Sequence, residues 1–328
     1  MTVKQYESKG KILWLHVGYP KTATTTLQEH FFPRLAKEDM YYIGKRKEVS
    51  LLSPAARIFC DAISRSDLEC ATKHLELILQ ENAAYNHFCF SAEETINYWQ
   101  HHHPRMIATS AKMLKSITGS LFENIKILLV IRKQADYLCS AYAEFFGDGS
   151  LGISFSDYID NILNNSSYIH GKSIDYYDCY KVFAEQFGAD NVFVAPFECL
   201  QQTPLKYYHY ILDSMALERT KYLKVAIGKE ENVRKNCQGK KVDRVTFYHK
   251  LALLKSKIIP YSLGIGHWKV WKLLSFPVMT EKKARQLGES IVLSEQEQQD
   301  IYQRYVSSNQ KLSDELGLNL KSYGYCDN

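Results

Sequence analysis

The residues best suited to chemistry are a lysine and a threonine cluster near the amino terminus: Lys21, Thr22, Thr24, Thr25 and Thr26. One ammonium group and several hydroxyl donors at this spacing suit a phosphate or sulfate oxyanion. A helix beginning at the threonines adds backbone N–H groups and the positive end of its dipole. The alternative is an ordinary strand-to-helix turn with a threonine-rich start.

The surrounding pattern places this cluster in a turn. Residues 12–17 are apolar and predict a strand, residues 18–20 have turn composition, and helical spacing runs from Thr24 to Phe32, before Pro33. A P-loop for nucleoside triphosphates has two glycines around four residues before Lys-Ser/Thr, whereas only Gly18 lies near Lys21. The sequence therefore predicts an anion-binding loop of another kind.

A second candidate anion site combines Arg132 with Ser140, eight residues later. Arg132 follows the apolar run 125–131, which predicts a strand buried on both faces of a parallel sheet. With Ser140 on the following helix, guanidinium and hydroxyl can converge on one phosphate, the arginine as a bidentate fork. Arginines at strand ends are common, so a purely structural role is the alternative.

Both segments resemble the nucleotide-binding motifs of the sulfotransferases that use 3′-phosphoadenosine 5′-phosphosulfate (PAPS). The stretch 19–26 is similar to their 5′-phosphosulfate loop, commonly Pro-Lys-Ser/Thr-Gly-Thr-Thr, with Ala23 at the glycine position and Thr26 at a position that is often aromatic or apolar. We expect Ala23 to be tolerated if its φ is negative. Arg132 and Ser140, with Tyr142, resemble the 3′-phosphate site, although Gln134 replaces a frequent proline. The resemblance implies cofactor binding by Lys21, Thr22, Ala23, Thr24, Thr25, Thr26, Arg132 and Ser140.

The resemblance also implies the catalytic groups. Lys21 stabilises charge on the leaving phosphate. Residues 88–95 resemble the Ser-Ser-Glu variant at the strand between the two phosphate motifs, which implies Glu93 as the general base, with Glu94 second. Two solvated carboxylates at a helix start are the alternative. If both carboxylates fail, His16 and the loop 101–103 are the next candidates.

Three further stretches show weaker likeness to the same family. Residues 192–204 resemble its strand and Glu-x-Leu segment, and residues 305–325 its carboxyl-terminal helix and tail. Within the basic stretch 231–241, the resemblance implies nucleotide contacts from Asn232, Arg234 and Lys235. A solvated basic face is the alternative there.

Composition limits the other classes of function. The net charge of +5 does not by itself indicate nucleic-acid binding, and none is predicted. Eight scattered cysteines without metal spacing predict reduced thiols, no metal and a cytoplasmic protein. The polar amino terminus predicts no signal peptide. The broken apolar stretch 258–278 predicts either a covering loop or peripheral contact with a membrane or lipid-linked acceptor.

Strands and helices alternate through the first two thirds of the chain. We predict an α/β fold with a mostly parallel sheet flanked by helices and a helical carboxyl-terminal third, the P-loop-like fold that the resemblance implies. We expect one domain over 1–328, with a core of about 11–200 and a helical region of about 201–328. The predicted strands are 12–17, 87–91, 125–131 and 191–195. The predicted helices are 24–32, 53–64, 67–82, 106–118, 133–146, 156–163, 176–187, 203–215, 242–257, 280–287 and 294–316.

Together these features predict a PAPS-dependent sulfotransferase that forms 3′,5′-ADP and sulfates a hydroxyl or amine of a glycan, glycolipid or other glycoconjugate. A kinase-like enzyme using Lys21 with ATP is one alternative. A non-catalytic nucleotide-binding protein of the same fold is another. The sequence does not identify the acceptor or the oligomeric state.

Overall fold

The computed structural model describes residues 10–35, 40–44, 54–91, 107–145, 153–219 and 291–327. The chain divides into two compact units. The first comprises residues 1–133, 172–231 and 305–328 and contains the whole β-sheet. The second comprises residues 134–171 and 232–304. The single domain expected over 1–328 stays a prediction.

A five-stranded sheet with strand order β2-β3-β1-β4-β5 forms the centre of the first unit. Its strands are β1 (Ile12–Gly18), β2 (Tyr41–Gly44), β3 (His87–Ser91), β4 (Asn124–Ile131) and β5 (Val192–Pro196). All four neighbouring pairs are parallel, which confirms the predicted sheet. The carboxyl ends of the strands therefore lie along one edge, where α/β proteins place their ligand loops.

Strand β2 was not predicted from the sequence. It is four residues long and, among the strands that the structure describes, lies at the end of the order and pairs with β3 alone. Four residues give too little alternation to distinguish a strand from a tyrosine pair in a loop. Tyr42 is buried at 1% exposure, so this short strand nevertheless supplies a large side chain to the core.

Wherever the chain is described, each predicted helix is found within a few residues of its predicted place, but two short helices, Ile169–Ser173 and Phe197–Gln202, were not predicted. A continuous helical segment follows β1, made of α1 (Thr24–Thr26), a π-helical stretch (Leu27–Phe31) and α2 (Phe32–Leu35). The remaining helices are α3 (Pro54–Arg65), α4 (Leu68–Glu81), α5 (Ile107–Thr118), α6 (Gln134–Phe145), α7 (Phe155–Asn164), α8 (Ile169–Ser173), α9 (Tyr176–Phe187), α10 (Phe197–Gln202), α11 (Pro204–Ser214) and α12 (Glu295–Leu316).

One helix end differs from the expectation. The helical segment after β1 continues through Pro33 to Leu35 rather than ending before the proline. Pro33 lies inside this continuous segment, directly after the π-helical stretch and Phe32, where the regular hydrogen-bond pattern that proline interrupts is already altered. The helical carboxyl-terminal third is confirmed for α11 and α12. The helices predicted over 242–257 and 280–287 lie outside the described residues.

Buried side chains of the strands and of the neighbouring helices form an apolar cluster on one face of the sheet. Trp14 of β1 packs there with Phe31, Phe32 and Tyr42, and Ile211 of α11 closes the same cluster. Burial of each such side chain stabilises the fold by about 1.5–3 kcal/mol. This packing fixes β1 against the helical segment that follows it, and so holds the intervening loop.

Candidate active site at the ends of β1 and β4

The loop from Tyr19 to Ala23 leads from β1 into the helical segment. Lys21 and Ala23 adopt φ angles of 65° and 64°, in the left-handed region, and Ala23 is the N-cap of α1. The condition under which Ala23 was expected to be tolerated, a negative φ, is therefore not met, and the backbone has the conformation that glycine adopts without cost. Left-handed residues next to right-handed ones gather successive N–H groups on one side, a common arrangement in anion sites.

Tyr19 and Thr22 anchor this loop. The Tyr19 N–H donates to Val130 O of β4 at 2.9 Å, and its buried hydroxyl donates to Ser173 O at 2.5 Å. The Thr22 hydroxyl donates to Tyr19 O at 2.5 Å, which closes the turn. Thr22 is fully buried, so its side chain holds the loop shape.

The three threonines after Ala23 differ in exposure. Thr24 is buried at 3% exposure, whereas Thr25 and Thr26 are half-buried. The Thr26 N–H donates to Ala23 O at 3.0 Å, so this amide already has a helical partner. Its hydroxyl is the part of Thr26 left for a ligand.

Arg132, from the second predicted anion site, contacts the loop of the first. Its guanidinium nitrogen Nη1 donates to the main-chain oxygen of Lys21 at 3.1 Å, across 111 residues of sequence. The guanidinium also lies over the ring of Phe197, with 5.2 Å between Cζ and the ring centroid. The contact with Lys21 occupies one of the five N–H donors of the guanidinium. The charged guanidinium group therefore lies beside the loop that contains Lys21.

The main chain at Arg132 is held from both sides. Its carbonyl accepts a hydrogen bond from the Tyr176 hydroxyl at 2.5 Å, and the next amide, of Lys133, donates to Glu198 Oε1 at 3.0 Å. The other carboxylate oxygen of Glu198 accepts from the Tyr325 hydroxyl at 2.6 Å. Burial raises the pKa of Glu198, while these two hydrogen bonds and the charge of Arg132 oppose that rise. None of these supporting residues was predicted as a site residue; the likeness of residues 192–204 and 305–325 to the family drew attention only to the segments of Glu198 and Tyr325.

A buried polar group lies where β1 and β3 approach their carboxyl ends. His16 Nδ1 and Ser91 Oγ are 2.6 Å apart, and Gln28 Nε2 donates to the same serine oxygen at 3.2 Å. Among the described residues, Nε2 of His16 has no hydrogen-bond partner. Burial lowers the pKa of His16 to about 3, which keeps the ring neutral at physiological pH. Ser91 is the last residue of β3 and lies two positions before the predicted general base, Glu93, in the sequence.

Several predicted site residues are not tested by this geometry. Ser140 is buried at 5% exposure on α6, within the second unit, and its convergence with Arg132 stays a prediction. Outside the described residues lie the base candidates Glu93 and Glu94, the nucleotide contacts Asn232, Arg234 and Lys235, the histidines 101–103 and the apolar stretch 258–278.

Other features of the described part bear on metals and membranes. No group of three or more His, Cys, Asp or Glu side chains there is arranged to hold a metal ion. No helix within those residues is both long and apolar enough to cross a bilayer. No disulfide joins the cysteines that the structure covers.

Comparison with known proteins gave matches among solved structures alone. No protein-family model and no curated protein matches the chain. A sulfotransferase from Alicyclobacillus acidocaldarius has 15% identity and a TM-score of 0.44, covering 66% of this chain and 86% of that one. Mouse sulfotransferase SULT7A1, solved with PAP, has 13% identity and a TM-score of 0.42, covering 96% and 90%. The sulfotransferase domain of the Synechococcus PCC 7002 olefin synthase has 14% identity and a TM-score of 0.38, covering 94% and 98%. These structural neighbours are sulfotransferases, as is the family that the sequence motifs resemble.

Proposed function

We propose that this protein is a sulfotransferase that transfers the sulfuryl group of PAPS to a hydroxyl or amine of a carbohydrate or glycoconjugate. The observation that carries the proposal is the hydrogen bond from Arg132 to the main chain of Lys21. It places the two segments that resemble the 5′-phosphosulfate and 3′-phosphate motifs side by side. A nucleotide with phosphates at both positions presents two separate anionic groups, which suits two neighbouring cationic residues.

Each end of the nucleotide has a proposed partner. Lys21 and the amides of the left-handed loop bind the 5′-phosphosulfate, with the hydroxyls of Thr24, Thr25 and Thr26. Arg132 binds the 3′-phosphate through N–H donors that its contact with Lys21 leaves available. Ser140 is proposed as the second 3′-phosphate ligand on the basis of the resemblance.

The proposed reaction is an in-line displacement at sulfur. The acceptor oxygen forms a bond to sulfur, the bond between sulfur and the bridging oxygen breaks, and 3′,5′-ADP leaves. Glu93 takes the acceptor proton, and Lys21 stabilises the charge that develops on the bridging oxygen. A fixed cation aimed at developing charge lowers the barrier without a metal ion.

A kinase-like use of ATP is the first rival function. The role proposed for Arg132 distinguishes the sulfotransferase from the kinase-like function, because ATP has no 3′-phosphate for the arginine to bind. A ligand present at 100 times its Kd stabilises a protein by about 2.7 kcal/mol. We expect such stabilisation in thermal unfolding with 3′,5′-ADP and much less with ATP. Equal stabilisation by both nucleotides would favour the kinase-like alternative.

An assay of sulfate transfer distinguishes the proposed activity from a non-catalytic role. Labelled PAPS is incubated with the protein and with a polysaccharide, a glycolipid and a small phenol as acceptors. We expect labelled sulfate on at least one acceptor, in step with formation of 3′,5′-ADP. Tight 3′,5′-ADP binding without transfer to any acceptor, even at stoichiometric enzyme, would support the non-catalytic nucleotide-binding alternative.

The acceptor class and cellular setting complete the proposal. A glycan or glycolipid acceptor follows from the resemblance of residues 88–95 to carbohydrate-directed members of the family. A lipid-linked acceptor would give the stretch 258–278 a role at a membrane surface. The cytoplasm, with its reduced thiols, is the proposed location.

A further inference from the structure

The carboxyl-terminal tail reaches the end of β4 through a short chain of hydrogen bonds. Tyr325 lies after the last helix and is buried at 1% exposure. Its hydroxyl donates to Glu198 Oε2 at 2.6 Å, across 127 residues of sequence. The opposite oxygen of the same carboxylate accepts from the Lys133 amide at 3.0 Å. A single buried carboxylate therefore links the tail to the peptide that follows Arg132.

The tail is itself fixed in place. The buried side chain of Asn309, on α12, donates from Nδ2 to the Tyr325 carbonyl at 3.0 Å. The Tyr325 amide donates to Leu320 O at 3.2 Å, and Gly324 before it has a φ of 76°. The tyrosine hydroxyl consequently has little freedom to follow a shift of Glu198, so it acts as an anchor for the carboxylate.

Glu198 and its neighbour act on Arg132 in two ways. Phe197 supplies the ring over which the guanidinium lies. Glu198 holds the Lys133 amide while Tyr176 holds the Arg132 carbonyl, so the peptide plane between Arg132 and Lys133 is fixed at both ends. The orientation of that plane sets the direction in which the Arg132 side chain extends from the end of β4.

We infer that Tyr325 and Glu198 are positioning residues that orient Arg132 for the 3′-phosphate, so that the carboxyl-terminal tail sets the selectivity for 3′-phosphorylated nucleotides. This inference rests on the proposed function, because it assumes that Arg132 meets a 3′-phosphate. Neither residue contacts the nucleotide in this account. Both oxygens of Glu198 accept hydrogen bonds, the pattern of an ionised carboxylate, and burial with the neighbouring Glu198 keeps the pKa of Tyr325 well above its usual value. The tyrosine therefore stays a donor.

The test compares two nucleotides that differ only in the 3′-phosphate. Dissociation constants for 3′,5′-ADP and 5′-AMP are measured by calorimetry on the full chain and on Tyr325→Phe. We expect Tyr325→Phe to weaken 3′,5′-ADP binding about 10-fold, the scale of one hydrogen bond to a charged group, and to change 5′-AMP binding less than about 2-fold. Tyr207→Phe is the matched control, since Tyr207 is buried in the same unit and its hydroxyl has no hydrogen-bond partner among the described residues.

The outcomes separate this inference from the proposed function. If the unmodified protein binds both nucleotides equally, the 3′-phosphate site itself is wrong and the positioning role falls with it. If the protein prefers 3′,5′-ADP and Tyr325→Phe keeps the same preference, the positioning inference alone is overturned. Equal losses for both nucleotides would likewise overturn it, because they indicate general loosening of the fold.

A second pair of variants covers the case in which Tyr325→Phe does not fold. Glu198→Gln and Glu198→Ala remove the same charge, but only the glutamine can still accept from the Lys133 amide and meet the Tyr325 hydroxyl. We expect the preference for 3′,5′-ADP over 5′-AMP to survive in Glu198→Gln and to fall about 10-fold in Glu198→Ala. Equal preferences in the two variants would refute the positioning role.

Discussion

Ala23 has a backbone conformation that residues with a Cβ rarely adopt. Its φ of 64° costs a residue with a Cβ about 1–2 kcal/mol, whereas glycine adopts it freely. We expect Ala23→Gly to raise the free energy of unfolding by up to about 1 kcal/mol, because relief of the strain exceeds the entropy that glycine adds to the unfolded chain. Urea denaturation measures this change.

A control with the opposite sign is available in the same unit. Ala184 lies inside α9, where glycine destabilises a helix by about 1 kcal/mol relative to alanine. Ala184→Gly should therefore lose stability while Ala23→Gly gains it. Similar losses in both variants would show that the left-handed conformation at position 23 is not populated in the folded protein.

Lys21 is the residue on which the proposed chemistry depends most. Lys21→Ala should reduce turnover about 100-fold or more, the usual effect of losing one preorganised group that stabilises the transition state. Its unfolding temperature should change little, since Lys21 is only half-buried. The comparison is Lys112→Ala, which removes an exposed lysine from α5. Near-normal turnover in Lys21→Ala would exclude the loop as the reaction centre.

Local sequence patterns were sufficient to identify the individual ligand candidates, but not to predict the contacts between them. Lys21 among threonines and Arg132 after an apolar run are patterns within about ten residues. Their hydrogen bond spans 111 residues, and that between Glu198 and Tyr325 spans 127. Such contacts follow from strand order and helix packing, which spacing along the chain does not encode.

At the scale of elements, strands buried on both faces were the easiest to predict. Residues 125–131 form a nearly continuous apolar run that only Lys126 interrupts, and β4 covers Asn124–Ile131 as expected. Edge strand β2 has only four residues, and its pairing with β3 depends on tertiary contacts. The left-handed loop was missed for a related reason, because alanine and lysine carry no local signal for a positive φ.

The junction of β1 and β3 gives a prediction of pH dependence. Burial lowers the pKa of His16 to about 3, below the usual 6.5, so below pH 6.5 the unfolded chain binds a proton that the folded one does not. Stability from this group is complete above pH 6.5 and falls as the pH drops toward 3, by at most about 1.4 kcal/mol per pH unit.

His16→Gln tests this source of the slope. The amide can still contact Ser91 but does not titrate, so the loss of stability between pH 7 and pH 5 should become shallower in urea denaturation. His170, in the second unit, has its pKa lowered to about 3 by burial as well and should retain its own share of the slope. An unchanged slope in His16→Gln would mean that the ring is accessible to protons in the folded protein.

At the scale of the whole molecule, the described parts of the proposed nucleotide site lie within one compact unit, apart from Ser140. The loop at Lys21, the end of β4 and the supporting residues Glu198 and Tyr325 all belong to the unit that contains the sheet. Ligand binding there adds directly to the stability of that unit by linkage. Acceptor recognition is expected in regions that resemble the family least, which explains why neither motif nor fold identifies the acceptor.

The position of the second phosphate tests the central claim most directly. Calorimetry compares 3′,5′-ADP with 5′-ADP, isomers of similar charge that differ in where that phosphate is attached, on the unmodified protein and on Arg132→Ala. We expect the unmodified protein to bind 3′,5′-ADP at least about 10-fold more tightly, and Arg132→Ala to lose that preference, because a charge-assisted pair contributes about 1.5–3 kcal/mol. Equal affinities for the two isomers, or a preference that survives Arg132→Ala, would contradict the account.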